Sequence, residues 1–218
     1  MRNCATSLQS ELADDELDLL LSTLKETPPK GKVLEIGTAA GGTLWQMINA
    51  VSGTQEALKF VVLDPMNYFP NQLEIVEANL EQHGIDSRTV DFRVKHSAEA
   101  FQQSKESFEE FDLIFVDGNH KCRYVMQDLQ WLSLLKVNGF AAFHDYGLSH
   151  KGVKKAVDIF LKKNGNYICR KRVRELLLIE KVEESQSQEV STVDHCSAFL
   201  YTFLYQFERS VKKRLRVS

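Results

Sequence analysis

Four short stretches of the chain set acidic or imidazole side chains beside residues that let a backbone turn sharply. The first, Glu35-Ile36-Gly37-Thr38-Ala39-Ala40-Gly41-Gly42, follows an apolar run. Glycines there allow a tight turn and a close approach to a ligand with no Cβ in the way. The spacing is E-x-G-x-x-x-G through Glu35, Gly37 and Gly41; it is not the dinucleotide pattern G-x-G-x-x-G, because Ala39 takes the middle glycine position. A bare strand-to-helix turn would use the same residues. Asp64, at the end of the next apolar run, offers a carboxylate that can accept both hydroxyls of a ribose, although a residue before Pro65 also suits a solvated turn. Ser97-Ala98-Glu99 stands where an adenine ring could be flanked, and Ser97 alone would serve equally as a helix cap. Asp117, with Gly118-Asn119-His120, and Asp145, inside His144-Asp145-Tyr146, follow two further apolar runs. Converging carboxylates, helped by Asn119 or His144, would give oxygen-rich ligation for Mg²⁺; without a metal they would cap or orient their loops. His120 is the candidate base, since an imidazole with an ordinary pKa near 6.5 is largely neutral at cytoplasmic pH. His83, His96, His150 and His195 have no convergent partner in the sequence and are expected to be structural or solvated.

These stretches need elements to hold them. Leu12, Ala13, Leu17, Leu20, Leu21 and Leu24 recur at helical steps until Pro28-Pro29. Apolar runs then alternate with helical patterns: strands are expected at 32–36, 60–63, 90–94, 111–116 and 140–143. Helices are expected around Leu44–Val51, Leu73–Leu80, Ser97–Lys105, Val125–Leu132, the last stopped by Asn138-Gly139, and Val153–Leu161. Residues 166–168 and 175–179 suit a closing hairpin. Such alternation predicts an α/β, doubly wound, mainly parallel sheet, because parallel neighbours need crossover connections. In these sheets ligands sit beyond the carboxyl ends of the strands, where the four stretches fall.

The expected organisation is one domain over residues 1–183, a polar linker over 184–196 and an amphipathic basic helix over 197–218. Phe199, Leu200, Phe203, Leu204, Phe207 and Val211 share a helical face ahead of Lys212, Lys213, Arg214 and Arg216. The expected role is docking on the domain or on a second subunit in a homo-oligomer; the other is peripheral contact with an anionic membrane.

With 218 residues, 43% hydrophobic and 26% charged, the chain has the make-up of a globular protein, and a net charge of −3 argues against a dedicated nucleic-acid binder. No apolar run reaches the roughly 18 residues of a membrane span. The acidic opening lacks the layout of a secretory or transit segment, so a cytoplasmic protein is expected. Cys4, Cys122, Cys169 and Cys196 form no C-x-x-C pair and are expected as reduced, small buried side chains.

Taken together, VLEIGTAAGG, VVLDP, HSAEAF and FDLIFVDGNHKCRYVMQDLQWLSLLKVNGFAAFHDY resemble the class I S-adenosylmethionine-dependent methyltransferases. The likeness runs from about Lys32 to Lys181 and is strongest to the small O-methyltransferase-like group that includes macrocin-type sugar O-methyltransferases and cephalosporin-hydroxylase-like proteins. The resemblance implies a seven-stranded sheet with the last strand antiparallel and S-adenosylmethionine as cofactor. It implies that Gly37 and Gly41, with Glu35, Thr38 and Ala39 in their loop, bracket the methionyl part, that Asp64 binds the ribose, and that Ser97, Ala98 and Glu99 lie beside the adenine. Asp117 and Asp145 match the Mg²⁺ positions of metal-dependent relatives; His120 replaces the basic lysine found in some, and His144 stands where an acidic ligand often occurs. The implied activity is methyl transfer to the hydroxyl of a small molecule, a sugar or phenol. A metal-independent protein or nitrogen methyltransferase, and a non-catalytic cofactor-binding module recruiting a partner through its terminal helix, are the competing readings.

Overall fold

The structure, a computed structural model, describes residues 9–53, 58–185 and 189–215. Cys4, Arg216 and linker residues 186–188 lie outside the described residues. The chain opens with α1 (Asp14–Lys25) and then alternates β1 (Lys32–Ile36), α2 (Gly42–Val51), β2 (Lys59–Leu63), α3 (Gln72–Gln82), β3 (Asp91–Arg93) and α4 (Ser97–Glu106). It continues through β4 (Phe111–Val116), α5 (Cys122–Asp128), β5 (Leu135–Phe143), α6 (Lys151–Lys163), the hairpin β6 (Tyr167–Val173) and β7 (Leu176–Lys181), and α7 (Thr192–Leu215). The seven strands form one sheet in the order β3-β2-β1-β4-β5-β7-β6. Pairings from β3 through β5 are parallel, whereas β7 runs antiparallel to both β5 and β6. This is the doubly wound fold that the alternation predicts, with the reversed strand that the resemblance implies.

Strand periodicity divides the core. Val33, Leu113 and Phe115 face one layer with Leu20, Leu44 and Val76 of α1, α2 and α3. Leu34, Ile114 and Val116 face the other with Phe101, Val125, Trp131 and Val157. All six residues of β4 are buried, as a central strand covered on both faces requires.

Three local readings need correction. The helix that starts at Cys122 does not continue to Asn138-Gly139; it tightens after Asp128 into a 3₁₀ segment, Leu129–Leu134. Asn138 and Gly139 instead lie inside β5, at an irregularity where Phe111 pairs with Leu135 but Leu113 with Phe140. The closing hairpin is longer than its apolar residues indicate, because β6 is an exposed edge strand carrying Arg170, Lys171 and Arg172, a polar composition that guards edges. The terminal helix begins at Thr192 and not at Ser197, within the expected linker. Ser191 and Asp194 make the reason: the Ser191 N–H and hydroxyl both donate to Asp194 Oδ2, at 2.8 and 2.6 Å.

Deleting a central side chain tests the two-layer core. Phe115→Ala is expected to destabilise the protein by about 3–5 kcal/mol, the range for a buried phenylalanine left as a cavity. Chemical denaturation measures it, and a loss under about 1 kcal/mol would show that β4 is not the packing centre.

Candidate active site

Register alone assembles the site. Ile36 pairs with both Leu63 and Val116, and Val116 pairs with Phe143, so the residues that follow these strands emerge level on one edge. The ladder continues one step further: Gly37 N–H donates to Leu63 O at 3.0 Å, Asp117 N–H to Ile36 O at 2.9 Å and His144 N–H to Val116 O at 3.0 Å. Between β1 and β4 the chain order changes direction, which makes this edge the topological switch point of the sheet.

The loop after β1 is shaped by contact as much as by torsion. Gly37 has φ +86°, and a Cβ there would stand 2.5 Å from Asp117 O and 2.6 Å from Gly118 Cα. Gly41 caps α2 in the left-handed region at φ +79°. Asp64 ties the neighbouring loop in: Thr38 N–H donates to its Oδ2 at 3.0 Å and Met66 N–H to its Oδ1 at 2.7 Å. A carboxylate has about four acceptor positions, so these two bonds leave capacity for a ligand diol. From α3, Gln72 Nε2 donates to Ala39 O at 3.0 Å and Asn79 Nδ2 to Ala40 O at 2.8 Å. The signal for these two pins was present as polar residues set among the apolar positions of a helix.

A cavity of about 770 Å³ opens at this edge, within the range of small-molecule sites. Glu35, Gly37, Thr38, Ala39, Asp64, Ser97, Asp117 and His120 line it, as do Asp128 and residues of α7. Gly41 shapes the loop from behind. Ala98 and Glu99 do not join these residues: they are exposed in the first turn of α4, outside the lining. Ser97 accepts a hydrogen bond from Trp131 Nε1 at 3.0 Å. It does not occupy the cap of α4, which falls at His96.

Two buried atoms in this lining, Glu35 Oε2 and Thr38 Oγ1, have no hydrogen-bond partner of good geometry. Burial pushes the Glu35 carboxyl up to about 8, the Thr38 hydroxyl opposes the rise, and the charges of Asp117 and Asp64 add to it. Asp128 is likewise raised by burial to about 7, with the Ser97 hydroxyl opposing. The empty donors and acceptors of a built cavity fit a polar, amine-bearing or hydroxyl-bearing ligand.

Across the cavity the imidazoles gather around carboxylates. His120 Nε2 lies 2.7 Å from Asp145 Oδ2, a contact that raises the pKa of the ring. His144 Nδ1 lies 3.0 Å from Asp117 Oδ1 and 3.8 Å from Asp145 Oδ2. Burial opposes charge on His144, but the Asp117 hydrogen bond and the charges of Asp117, Asp145 and Glu16 raise it to about 9. His150, expected to be structural or solvated, belongs to the site. Its Nδ1 is 2.9 Å from Asp145 Oδ1, although not aligned as a hydrogen bond, and its ring centre is 4.2 Å from that of His120. Glu16 of α1 is also part of this edge. Its Oε2 accepts the Ala13 N–H at 2.9 Å and approaches His144 Nε2 at 3.6 Å, while its Oε1 accepts the Glu175 N–H at 2.8 Å. No motif marked Glu16, which reaches the site from an element remote in sequence, or His150, which folds back on Asp145 from the loop before α6.

The terminal helix closes the cavity. Ala198 and Thr202 are buried, and Thr202 Oγ1 accepts the Arg123 N–H of α5 at 3.1 Å. Tyr201, Tyr205, Gln206 and Arg209 line the cavity. The apolar stripe does not dock on its own domain but points outward: Phe199, Leu200, Phe203, Leu204, Phe207 and Val211 are 39–62% exposed.

A seven-stranded sheet of this order, with a glycine-turned cavity at its switch point, is a Rossmann-like methyltransferase fold. The chain belongs to the methyltransferase-domain family, whose profile matches residues 34–146, just over half of its length. Solved structures share the fold at low identity. An O-methyltransferase from Bacillus cereus in complex with S-adenosylhomocysteine is 16% identical over 82% of this chain and 86% of its own, with a TM-score of 0.63. The O-methyltransferase TomG from Streptomyces achromogenes, involved in tomaymycin synthesis and solved with S-adenosylmethionine, is 17% identical over 80% and 82%, with a TM-score of 0.60. A TDP-rhamnose 3'-O-methyltransferase of calicheamicin biosynthesis is 14% identical over 83% and 80%, with a TM-score of 0.61. No curated protein matches the chain.

Glu35 provides a pH test of the buried edge. The folded protein holds this proton to about pH 8, while the unfolded chain releases it near 4.5. The stabilisation is therefore complete below the unfolded value and is lost as pH rises toward 8. Relative to Glu35→Gln, the wild type is expected to lose thermal stability between about pH 5 and about pH 8 and to level off above. A difference between the two that is constant with pH would place an ionised Glu35 in the free protein.

Proposed function

We propose that the protein transfers a methyl group from S-adenosylmethionine to a hydroxyl oxygen of a small molecule, a sugar or phenol. The observation that carries this reading is the cavity at the switch point, lined on one side by Glu35, Thr38 and Asp64 and on the other by His120. When bound, S-adenosylmethionine supplies an electrophilic methyl carbon on a sulfonium centre. The loop from Gly37 to Gly41 brackets the methionyl part, the unsatisfied Glu35 and Thr38 oxygens accept from its polar groups, Asp64 accepts from the ribose, and Ser97 lies on the adenine side. Ala98 and Glu99 take no part in this arrangement, being exposed outside the lining.

His120 acts on the acceptor. With Nε2–H donated to Asp145, its Nδ1 carries the free lone pair and takes the hydroxyl proton as the oxygen attacks. Asp145 strengthens the base, at the cost that a larger share of it is already protonated at neutral pH. Alignment of oxygen and methyl supplies much of the acceleration. Asp117 holds His144, and the pair keeps the wall of the acceptor side in place.

Mg²⁺ fits this arrangement poorly. Asp117, His144 and Asp145 gather within 4.8 Å, as do His120, Asp145 and His150. Three imidazoles among two carboxylates are not the oxygen-rich set that Mg²⁺ takes. His144, charged below about pH 9, already offsets part of the charge of the two aspartates. The reading therefore routes no step through a metal, and a chelator is expected to leave turnover unchanged.

A cytoplasmic setting belongs to the same reading. Of the described cysteines Cys122 is buried as expected, whereas Cys169, on the edge strand β6, and Cys196, on α7, are exposed. Among the described residues no helix is long and apolar enough to cross a membrane. The outward stripe of α7 still asks for a surface, and the basic run that follows it, Lys212, Lys213, Arg214 and Arg216, complements anionic lipid headgroups.

Calorimetric titration with S-adenosylmethionine, and separately with NAD, tests the cofactor. Saturable binding of the former alone is expected, and its absence from a folded sample would refute the reading. His120→Ala is expected to slow turnover by roughly 10²–10⁴-fold with cofactor affinity unchanged; wild-type turnover would remove His120 as the base. Replacing Phe203 and Phe207 with serine is expected to abolish sedimentation with phosphatidylserine vesicles. If it dissociates a dimer instead, the stripe is a subunit interface.

A further inference from the structure

The cavity is divided unevenly by charge. Glu35, Asp64 and Asp128 line the part formed by β1, β2 and the region below α4, with Glu11 added from the N-terminal segment and Lys95 as the cation beside them. The opposite part is built from the starts of α5 and α6 and from the inner face of α7, where Lys121, Lys151 and Arg209 line the cavity beside His120 and His150. None of these three cations has an ion-pair partner among the described residues. Lys151 is itself the first residue of α6, whose first turn holds no acid, so the positive end of that helix is reinforced where an acid is usually placed. Tyr201 and Tyr205 present parallel rings, 6° apart in plane with centroids 6.0 Å apart, and Arg209 lies 5.9 Å from the Tyr205 ring centre.

A cationic sulfonium donor is served by the part that holds Asp64 and Glu11, while the buried Glu35 and Asp128 meet it as neutral polar groups. The basic part would repel a second cation, and beneath a neutral acceptor Lys121 and Arg209 would have no counter-charge and Lys151 only the longer-range charge of Glu208, which Lys212 already pairs. Resting on the methyl-transfer reading of the cavity, we propose that the acceptor is an anion, carrying a carboxylate or phosphate beside the hydroxyl that is methylated, and that Arg209 of α7 with Lys121 and Lys151 selects it. The terminal helix is then a specificity element through its inner face, whatever its outer face meets. Fixed cations at a cavity mouth also raise the local concentration of such an acceptor, an effect that falls with ionic strength.

The test is calorimetric titration of the full-length protein, with and without saturating S-adenosylhomocysteine, using two matched pairs. 3,4-Dihydroxybenzoate is compared with catechol, and glucose 6-phosphate with glucose; the pair that discriminates identifies the anionic group as carboxylate or phosphate. In at least one pair the anion is expected to bind about tenfold or more tightly than its neutral partner, a margin of about 1.4 kcal/mol that shrinks with added salt. Arg209→Gln and, separately, Lys151→Gln are expected to remove most of that margin while S-adenosylhomocysteine binds as before, which also verifies that each variant is folded. Equal binding or no binding in both pairs, or a margin that both variants preserve, overturns the proposal. Failure of S-adenosylhomocysteine to bind strikes the cofactor reading instead, and the ligand-free titrations still read whether anions are preferred.

Discussion

The parallel register between β1 and β4 is the constraint on which the active edge depends. Because Ile36 stands opposite Val116, the turn after each strand begins at the same height, and the two turns touch. That contact leaves no room for a side chain at Gly37, so the residue is dictated by its neighbour's backbone before any ligand is considered. A shift of one residue in either strand would send Asp117 to the other face of the sheet, because side chains alternate with a period of two. The apolar runs in both strands are thus as much a part of the site as its carboxylates.

Charge at this edge is concentrated and then managed in two ways. On the cofactor side, burial neutralises: Glu35 and Asp128 keep their protons into the neutral range. On the acceptor side, pairing stabilises charge, with His120 and His144 drawn toward their protonated forms by Asp145 and Asp117. Acids held neutral at one end and imidazoles biased toward protonation at the other give the two ends of one cavity different character, although both are built from strand-end residues only a few ångströms apart in the sheet.

How much of this was legible in the sequence follows from the range of each interaction. β1 and β4 could be read to the residue, since a buried parallel strand is a continuous apolar run with sharp ends. Asp64 and Asp117 could be placed because each follows such a run directly, and His120 and Asp145 because they lie within four residues of one. Edge strand β6 was under-read, as its exposed basic residues carry no hydrophobic signal. Glu16 was missed because it meets the site through a tertiary contact that no local spacing encodes, and His150 because the fold of the short loop back onto Asp145 has no periodicity to read. In α7 the periodicity was right and its orientation was not. A helix with small residues, Ala198 and Thr202, on one face can pack closely there and leave its larger apolar face outside.

Glu16 joins parts of the chain that are made far apart in time. Its carboxylate is shared between the start of α1, the turn between β6 and β7, and His144, while the neighbouring Asp15 pairs with Arg174. As the chain leaves the ribosome, α1 is complete early, but the backbone amide that its buried carboxylate needs arrives only with Glu175. Until then a nascent chain with β1 to β5 in place lacks the donor for Glu16 Oε1 and a cover for the edge of the sheet. The acceptor side is therefore assembled last, by synthesis order as well as by position, and a ribosome stalled before the hairpin would carry a cofactor loop without a finished catalytic wall.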